Sequence, residues 1–216
     1  AKESVLSEST RTRAQKLSDP KQDDASKKSQ YVIVLDAGHG GKDEGAVSDD
    51  GKLEEKEYNL AVVKEIARLL EQSGVKVYCT RTTDRTVSKK ARVRLANKRQ
   101  ADMLVSVHCN ASDARKHFVR GIEVLYSKRD NGAGYTNKQL AAKLLKKTVA
   151  ATGLPARGVI RREDLYLMHH AKVPAVIVET GYLTNPSDYL YMRQEKGIRQ
   201  TAWGIYQAVM ETLEKY

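Results

Sequence analysis

The chain has 216 residues and only two cysteines, Cys79 and Cys109, so it can bury one α/β core but excludes a disulfide scaffold and a four-thiolate zinc site. Its formal net charge is +11, and +9 of this belongs to residues 31–216, because the first thirty residues hold seven Lys and Arg against five Asp and Glu. Such a charge favours an anionic partner, whether nucleic acid, anionic lipid or an acidic polymer, without choosing among them.

The N-terminal segment, residues 1–30, is rich in Ser, Lys, Asp and Gln and nearly free of large apolar side chains. It predicts a flexible linker or tail, because it cannot bury enough apolar surface to offset the cost of ordering. No stretch approaches the ~20 apolar residues of a transmembrane segment. Because the sequence begins with Ala1 rather than Met, we expect that an export signal or membrane anchor has been removed from it.

The globular domain is expected to span residues 31–216, where apolar strands alternate with amphipathic helices. The patterns predict strands at 31–36, 75–81, 102–110, 121–127 and 175–180, and helices at 55–73, 88–101, 137–153 and 195–214. Alternation of this kind is typical of a three-layer α/β sandwich, with a twisted, mostly parallel sheet and helices on both faces.

Three predicted strands are followed or ended, on their carboxyl side, by side chains that can bind a metal or transfer a proton: His39, His108 and Glu179. The carboxyl ends of parallel strands share one rim of a sheet, which is where ligands bind in open α/β folds. The helix after the His39 loop begins with Glu54 or Glu55, so its first turn should lie beside the same rim.

Two imidazoles and one carboxylate suit a catalytic zinc ion with an open position for water, and a second carboxylate can then carry the proton. Taken singly, each residue has a simpler explanation, such as a solvated loop histidine or a first-turn Glu that complements the helix dipole. Glu179 is the exception, because an acid directly after the buried run "PAVIV" is costly unless it is paired or functional. Asp36, at the end of the first strand, is a candidate to orient His39.

Other uses of these segments are less consistent with the sequence. The loop "AGHGGKDEGA" lacks the spacing of a phosphate-binding loop and is followed by acids. Cys109 should point away from His108 and act as a small core residue, since neighbours on a strand face opposite sides. The pair His169–His170 has no spacing that joins it to the metal ligands, which favours a surface or substrate-facing position.

The phrases "VLDAGHGGKDEGA", "EKEYNLA", "LVSVHCNA", "RGIEVLY" and "PAVIVETGYLTNPSD", in this order, resemble the zinc-dependent N-acetylmuramoyl-L-alanine amidases of bacterial cell walls. The resemblance implies hydrolysis of the amide between the lactyl group of N-acetylmuramic acid and L-alanine in peptidoglycan. It also implies one zinc ion held by His39, Glu55 rather than Glu54, and His108, with Glu179 as the catalytic acid and base. Asn110 matches a family Asn that contacts substrate or a ligand.

The resemblance also sets expectations for partners and location. We expect peptidoglycan as substrate, anionic wall polymers as a further partner, no nucleic acid, a monomer, and a place in the cell wall or at the outer face of the membrane. Wall turnover, cell separation and sporulation all remain open as biological steps. The alternatives are another zinc peptidase, which would often need a second metal, and a non-enzymatic binder of anionic polymers, which would leave Glu179 unexplained.

Overall fold

The computed structural model describes residues 31–113, 117–129 and 132–215; the predicted tail, residues 1–30, lies outside them. The elements are β1 Val32–Ala37, α1 Glu55–Gln72, β2 Lys76–Cys79, α2 Lys89–Arg99, β3 Met103–Asn110, β4 Ile122–Tyr126, α3 Asn137–Thr152, β5 Ala156–Arg161, α4 Tyr166–His170, β6 Ala175–Tyr182, α5 Pro186–Met192 and α6 Glu195–Lys215. None of these helices combines the length and apolar character that a bilayer span requires.

The strands form one six-stranded sheet in the order β2-β1-β3-β6-β4-β5. Strands β2, β1, β3 and β6 are parallel to one another. Strands β4 and β5 are parallel to each other but run in the opposite direction, because β4 is antiparallel to β6. The prediction of a mostly parallel sheet is therefore confirmed. Strands β1, β3 and β6, which carry the candidate residues, lie side by side with their carboxyl ends on one rim.

Helices cover both faces of the sheet, as the alternation of strand and helix predicts. One core lies between the sheet and α1, α3 and α6, and includes the odd-numbered apolar residues of β1 and β3. A smaller core lies between the sheet and α2 and α4, and includes Val34, Leu104 and Ile177. Towards the carboxyl rim this second face becomes polar, because period-two alternation brings the polar strand-end residues onto it.

Three elements were missed by the sequence patterns. Strand β5 lies at the edge of the sheet, and its sequence "ARGVIR" shows no apolar alternation because the strand is largely exposed. Helix α4 has five residues and α5 has seven, too short for an apolar stripe to be recognised. Helix α5 nevertheless has a local signal, since Asn185 caps it and Pro186 occupies its first turn.

Candidate metal centre

The loop after β1 holds His39 in an unusual conformation, with φ of 59° in the left-handed region. Such a conformation is uncommon for a residue with a side chain and clusters at functional sites. The imidazole is fixed from two sides, because Nδ1 lies 2.8 Å from Asp43 Oδ1 and Nε2 lies 3.2 Å from Glu55 Oε2. Burial lowers the pKa of His39, but the hydrogen bonds to Glu55 and Asp43 outweigh it and raise the pKa to about 8.

Glu55, the first residue of α1, extends a buried carboxylate towards the ends of β1 and β3. Its Oε2 accepts from the Ala46 backbone N–H at 2.8 Å, and its Oε1 accepts from the Cys109 N–H at 3.1 Å and from Asn59 Nδ2 at 3.2 Å. Burial raises the pKa of Glu55, but the two histidines hold it well below its usual range. Glu55 is therefore ionised, and Asn59, four residues along the helix, lies on the same face and supports its carboxylate.

His108 comes from β3 and completes the cluster. Its Nδ1 lies 2.9 Å from Glu55 Oε1, and its ring meets that of His39 edge to face with centroids 5.0 Å apart. The potential ligand atoms of His39, Glu55 and His108 all lie within 4.8 Å of one another. A metal ion fits this donor set, since two imidazole nitrogens and one carboxylate oxygen are the ligands that zinc takes in catalytic sites.

Two glycines allow the three side chains to approach. A Cβ at Gly38 would lie 2.3 Å from Cε1 of His108, and a Cβ at Gly45 would lie 2.5 Å from Oε2 of Glu55. Gly45 also has φ of +72°, a conformation that side chains disfavour. Any larger residue at these positions would push the imidazole or the carboxylate away, so the glycines around His39 shape the cluster rather than merely turning the chain.

Glu179 lies beside the cluster on β6, in register with His108 of the parallel strand β3. Its Oε2 has no contact with solvent and no hydrogen-bond partner among the described residues. Burial raises the pKa of Glu179 to about 7, with the carboxylates of Glu55 and Glu123 adding to the shift and His108 opposing it. A buried carboxyl oxygen without a hydrogen-bond partner costs free energy. We therefore expect this oxygen to form a hydrogen bond with substrate or water.

Asp36 does not orient His39, contrary to the expectation from sequence. Its carboxylate accepts hydrogen bonds from Thr80 Oγ1 and Ser106 Oγ and forms an ion pair with Arg92 at 2.6 Å. Burial raises the pKa of Asp36, but Arg92 and the hydroxyl groups outweigh it and keep it lowered. Asp43, four residues after His39, is the acid that contacts the imidazole.

Two buried arginines hold the backbone of the His39 loop. Arg92 donates to the carbonyl of His39 at 2.8 Å and to that of Ala37 at 2.6 Å. Arg81 donates to the carbonyls of Ala37 at 3.0 Å and Gly38 at 2.8 Å. The sequence patterns gave no sign of these roles, because both arginines stand among many other basic residues. The contact between His39 and Asp43, in contrast, has a local signal, because the two residues lie four apart in "HGGKD".

The side chains of the remaining candidates are not among the three clustered donors. Asn110 ends β3, and its Oδ1 accepts from the backbone N–H of Ala111 at 3.2 Å. Cys109 packs in the core beside α1, as strand alternation predicts. His169 and His170 are exposed on α4, as expected, and His170 stacks on Tyr166.

A cavity of about 290 Å³ opens from the cluster across the α2 and α4 face of the sheet. It is polar at the cluster and apolar along its far wall. The lining residues are Asp36, His39, Asp43, Val87, Lys89, Arg92, Ser106, His108, Leu165, Tyr166, Leu167, Ile177 and Glu179. His39 and His108 therefore face a space large enough for part of a peptide or sugar, which favours an open site over a closed structural metal site.

Comparison with known proteins shows which family and which solved structures the chain is similar to. The sequence model of the N-acetylmuramoyl-L-alanine amidase family matches residues 33–211. Among solved structures, the catalytic domain of CwlV, an N-acetylmuramoyl-L-alanine amidase from Bacillus (Paenibacillus) polymyxa, superposes with a TM-score of 0.79 at 32% sequence identity. The superposition covers 87% of this chain and 100% of that domain.

Two curated relatives are longer than the matched region. The amidase LytC of Bacillus subtilis is 35% identical over 163 residues, which are 76% of this chain and 32% of LytC. The probable cell wall amidase LytH of Staphylococcus aureus is 34% identical over 187 residues, which are 86% of this chain and 58% of LytH. The chain thus spans about a third of LytC and less than two thirds of LytH.

Proposed function

The chain belongs to the N-acetylmuramoyl-L-alanine amidase family, and we propose that it hydrolyses the amide between the lactyl group of N-acetylmuramic acid and L-alanine with the help of one zinc ion. One observation carries the proposal. Three potential ligands converge at the mouth of a cavity whose wall holds a carboxyl group with a buried, unpartnered oxygen.

In this proposal His39, Glu55 and His108 hold the zinc ion. Zinc in such a site supplies a Lewis acid that lowers the pKa of water to about 7 and polarises a carbonyl oxygen. Glu55 is already ionised, and its backbone hydrogen bonds fix the carboxylate in place. Asp43 fixes the ring of His39 by accepting at Nδ1, which leaves Nε2 directed to the cluster.

Glu179 moves the proton in the proposed reaction. It accepts a proton from the attacking water and donates it to the alanine nitrogen as the carbon–nitrogen bond breaks. The products are the lactyl carboxylic acid and a peptide with a free amino terminus. A carboxyl group with a pKa of about 7 suits both steps near neutral pH. Asn110 is proposed to contact substrate, and Asp36 to support the loop through Arg92.

We further propose that the protein acts in the cell wall, outside the membrane. It does so as a monomer that also binds anionic wall polymers. The name of the relative LytH, a probable cell wall amidase, supports the place of action. The net charge of +11 supports the anionic partner. The proposed biological step is sporulation, wall turnover or cell separation.

The main alternative is a zinc carboxypeptidase or aminopeptidase, and a second metal site would favour it. Among residues 31–113, 117–129 and 132–215, one group of His, Cys, Asp and Glu has the spacing to hold a metal. A single site is consistent with the amidase, which needs one zinc ion.

Digestion of purified peptidoglycan tests the proposal. We expect mass analysis to find stem peptides that begin with free L-alanine and glycan strands that keep the lactyl group. A chelator should abolish both products, and added zinc should restore them. Peptides cut at any other bond, or a product pattern that a chelator leaves unchanged, would contradict the proposed reaction.

Asp43→Ala should weaken zinc binding about tenfold to a hundredfold, because the imidazole of His39 loses the acceptor that sets its orientation and tautomer. The side chain of Asp43 is largely exposed, so the fold should remain stable. Competition titration with a zinc indicator measures the change. Asp49→Ala, an exposed acid later in the same loop, serves as the control, and equal zinc affinity in the two variants would contradict the role of Asp43.

A further inference from the structure

Helix α2 has eleven residues, of which six are Lys or Arg and none is Asp or Glu. Lys90, Arg94 and Lys98 are all exposed and follow one another at intervals of four, so they lie in a row along one side of the helix. We refer to these three residues as the basic ridge. Arg92 is different, because it is buried in an ion pair with Asp36.

The three residues of the basic ridge form no ion pair with an acid in the part of the chain that the structure describes. Some exposed cations on other helices do form ion pairs, as with Arg68 and Glu65 on α1 or Arg199 and Glu195 on α6. No such pair involves the ridge among the described ion pairs. Like charges four residues apart destabilise a helix slightly, and an anionic ligand along the ridge would relieve this repulsion.

The ridge begins at the candidate active site. Lys89, next to the first ridge residue, lines the same cavity as His39 and Glu179. From there α2 leads away from the rim, and its eleven residues span about 16 Å. An extended ligand that leaves the cavity along α2 would therefore pass Lys89 first and then the three ridge cations.

We propose that α2 binds the acidic stem peptide of the substrate, with Lys89 and the basic ridge pairing with its carboxylates. This inference rests on the proposed function, because the peptide is attached to the bond that the enzyme cleaves. Five residues of extended peptide span about 17 Å, which matches the length of the helix. Continuity with the cavity favours the stem over a separate phosphate polymer, which would have no reason to begin at Lys89.

The test replaces Lys90, Arg94 and Lys98 together by Gln in the full chain. We expect kcat/KM for a soluble muramoyl peptide with free carboxylates to fall about tenfold at low salt, since each exposed pair lost costs about twofold. The loss should shrink at high salt, because screening weakens exposed pairs. It should also disappear with the same substrate after its carboxylates have been amidated. Lys138, Lys146 and Lys196, exposed on α3 and α6, replaced together by Gln, remove the same charge and serve as the control.

Three results would overturn the inference: equal kcat/KM in ridge and control variants, an equal loss on the amidated substrate, or a loss confined to binding of walls that carry phosphate polymers. A parent chain that releases no stem peptide would instead contradict the proposed function. The α2 inference is then decided by equilibrium binding of the isolated acidic stem peptide, which the ridge variant should bind more weakly than the control. Thermal unfolding should show the ridge variant at least as stable as the parent.

Discussion

Replacement of Glu179 by Gln should leave zinc content unchanged and lower kcat about a hundredfold to ten-thousandfold, the usual range for loss of a positioned acid and base. The amide has nearly the same shape as the carboxyl group but cannot take a proton from water or return one to the alanine nitrogen. Because Glu179 lies outside the group of His39, Glu55 and His108, the metal donors stay intact. Release of free amino termini from peptidoglycan and metal analysis of the same sample measure the two effects.

The Gln variant should also unfold at a temperature no lower than the parent, since Oε2 of Glu179 has no partner to lose among the described residues. Glu123 provides a matched control, because it is the residue opposite Glu179 on β4 and is also a partly buried acid. Glu123→Gln should retain more activity than Glu179→Gln. Full turnover in Glu179→Gln would refute its assignment as acid and base, and loss of zinc would make it a ligand instead.

Loss of any one of the three clustered donors should remove zinc and activity together. His39→Ala, His108→Ala and Glu55→Gln each leave two donors, which is too few for a catalytic zinc site with three protein ligands. Gln is the sharper choice at position 55, because an amide oxygen can still accept from the backbone N–H of Ala46 or Cys109 while the charge is lost. Metal analysis of purified variants, with activity measured before and after added zinc, gives the result.

The matched control is His117→Ala, since His117 is half-buried in a loop and pairs with the Thr184 carbonyl rather than with the cluster. It should keep a full complement of zinc. Circular dichroism separates loss of metal from loss of fold, which matters most for Glu55 because its carboxylate supports the loop and β3. A variant of His39, Glu55 or His108 that retains one zinc ion per chain would show that the ligand set has been wrongly assigned.

Much of the fold was predictable because it depends on local patterns. Strands β1, β3 and β6 are continuous apolar runs, and the long helices carry apolar stripes, so their positions follow from the periods of strand and helix. Strand β5 was missed because an exposed edge strand has no buried face to mark in sequence. The reversed direction of β4 was also hidden, since the direction of a strand depends on the path of the connections around it.

The sequence alone showed that His39, His108 and Glu179 lie towards the carboxyl ends of buried strands, although β3 continues to Asn110 and β6 to Tyr182 in the structure. The family likeness selected Glu55 over Glu54, and the structure describes Glu55 at the first position of α1, with its carboxylate between the two histidines. These features depend on short stretches of chain, so they can be recognised from the sequence without knowledge of the fold.

Only the tertiary structure decided the partners of the polar groups. Asp36 pairs with Arg92, fifty-six residues away, and Asp43 rather than Asp36 holds the imidazole of His39. Arg81 and Arg92 reach the loop backbone from separate elements. A buried charge needs a partner, but the sequence contains many candidates for each one, and the folded path of the chain selects which of them comes within hydrogen-bonding distance.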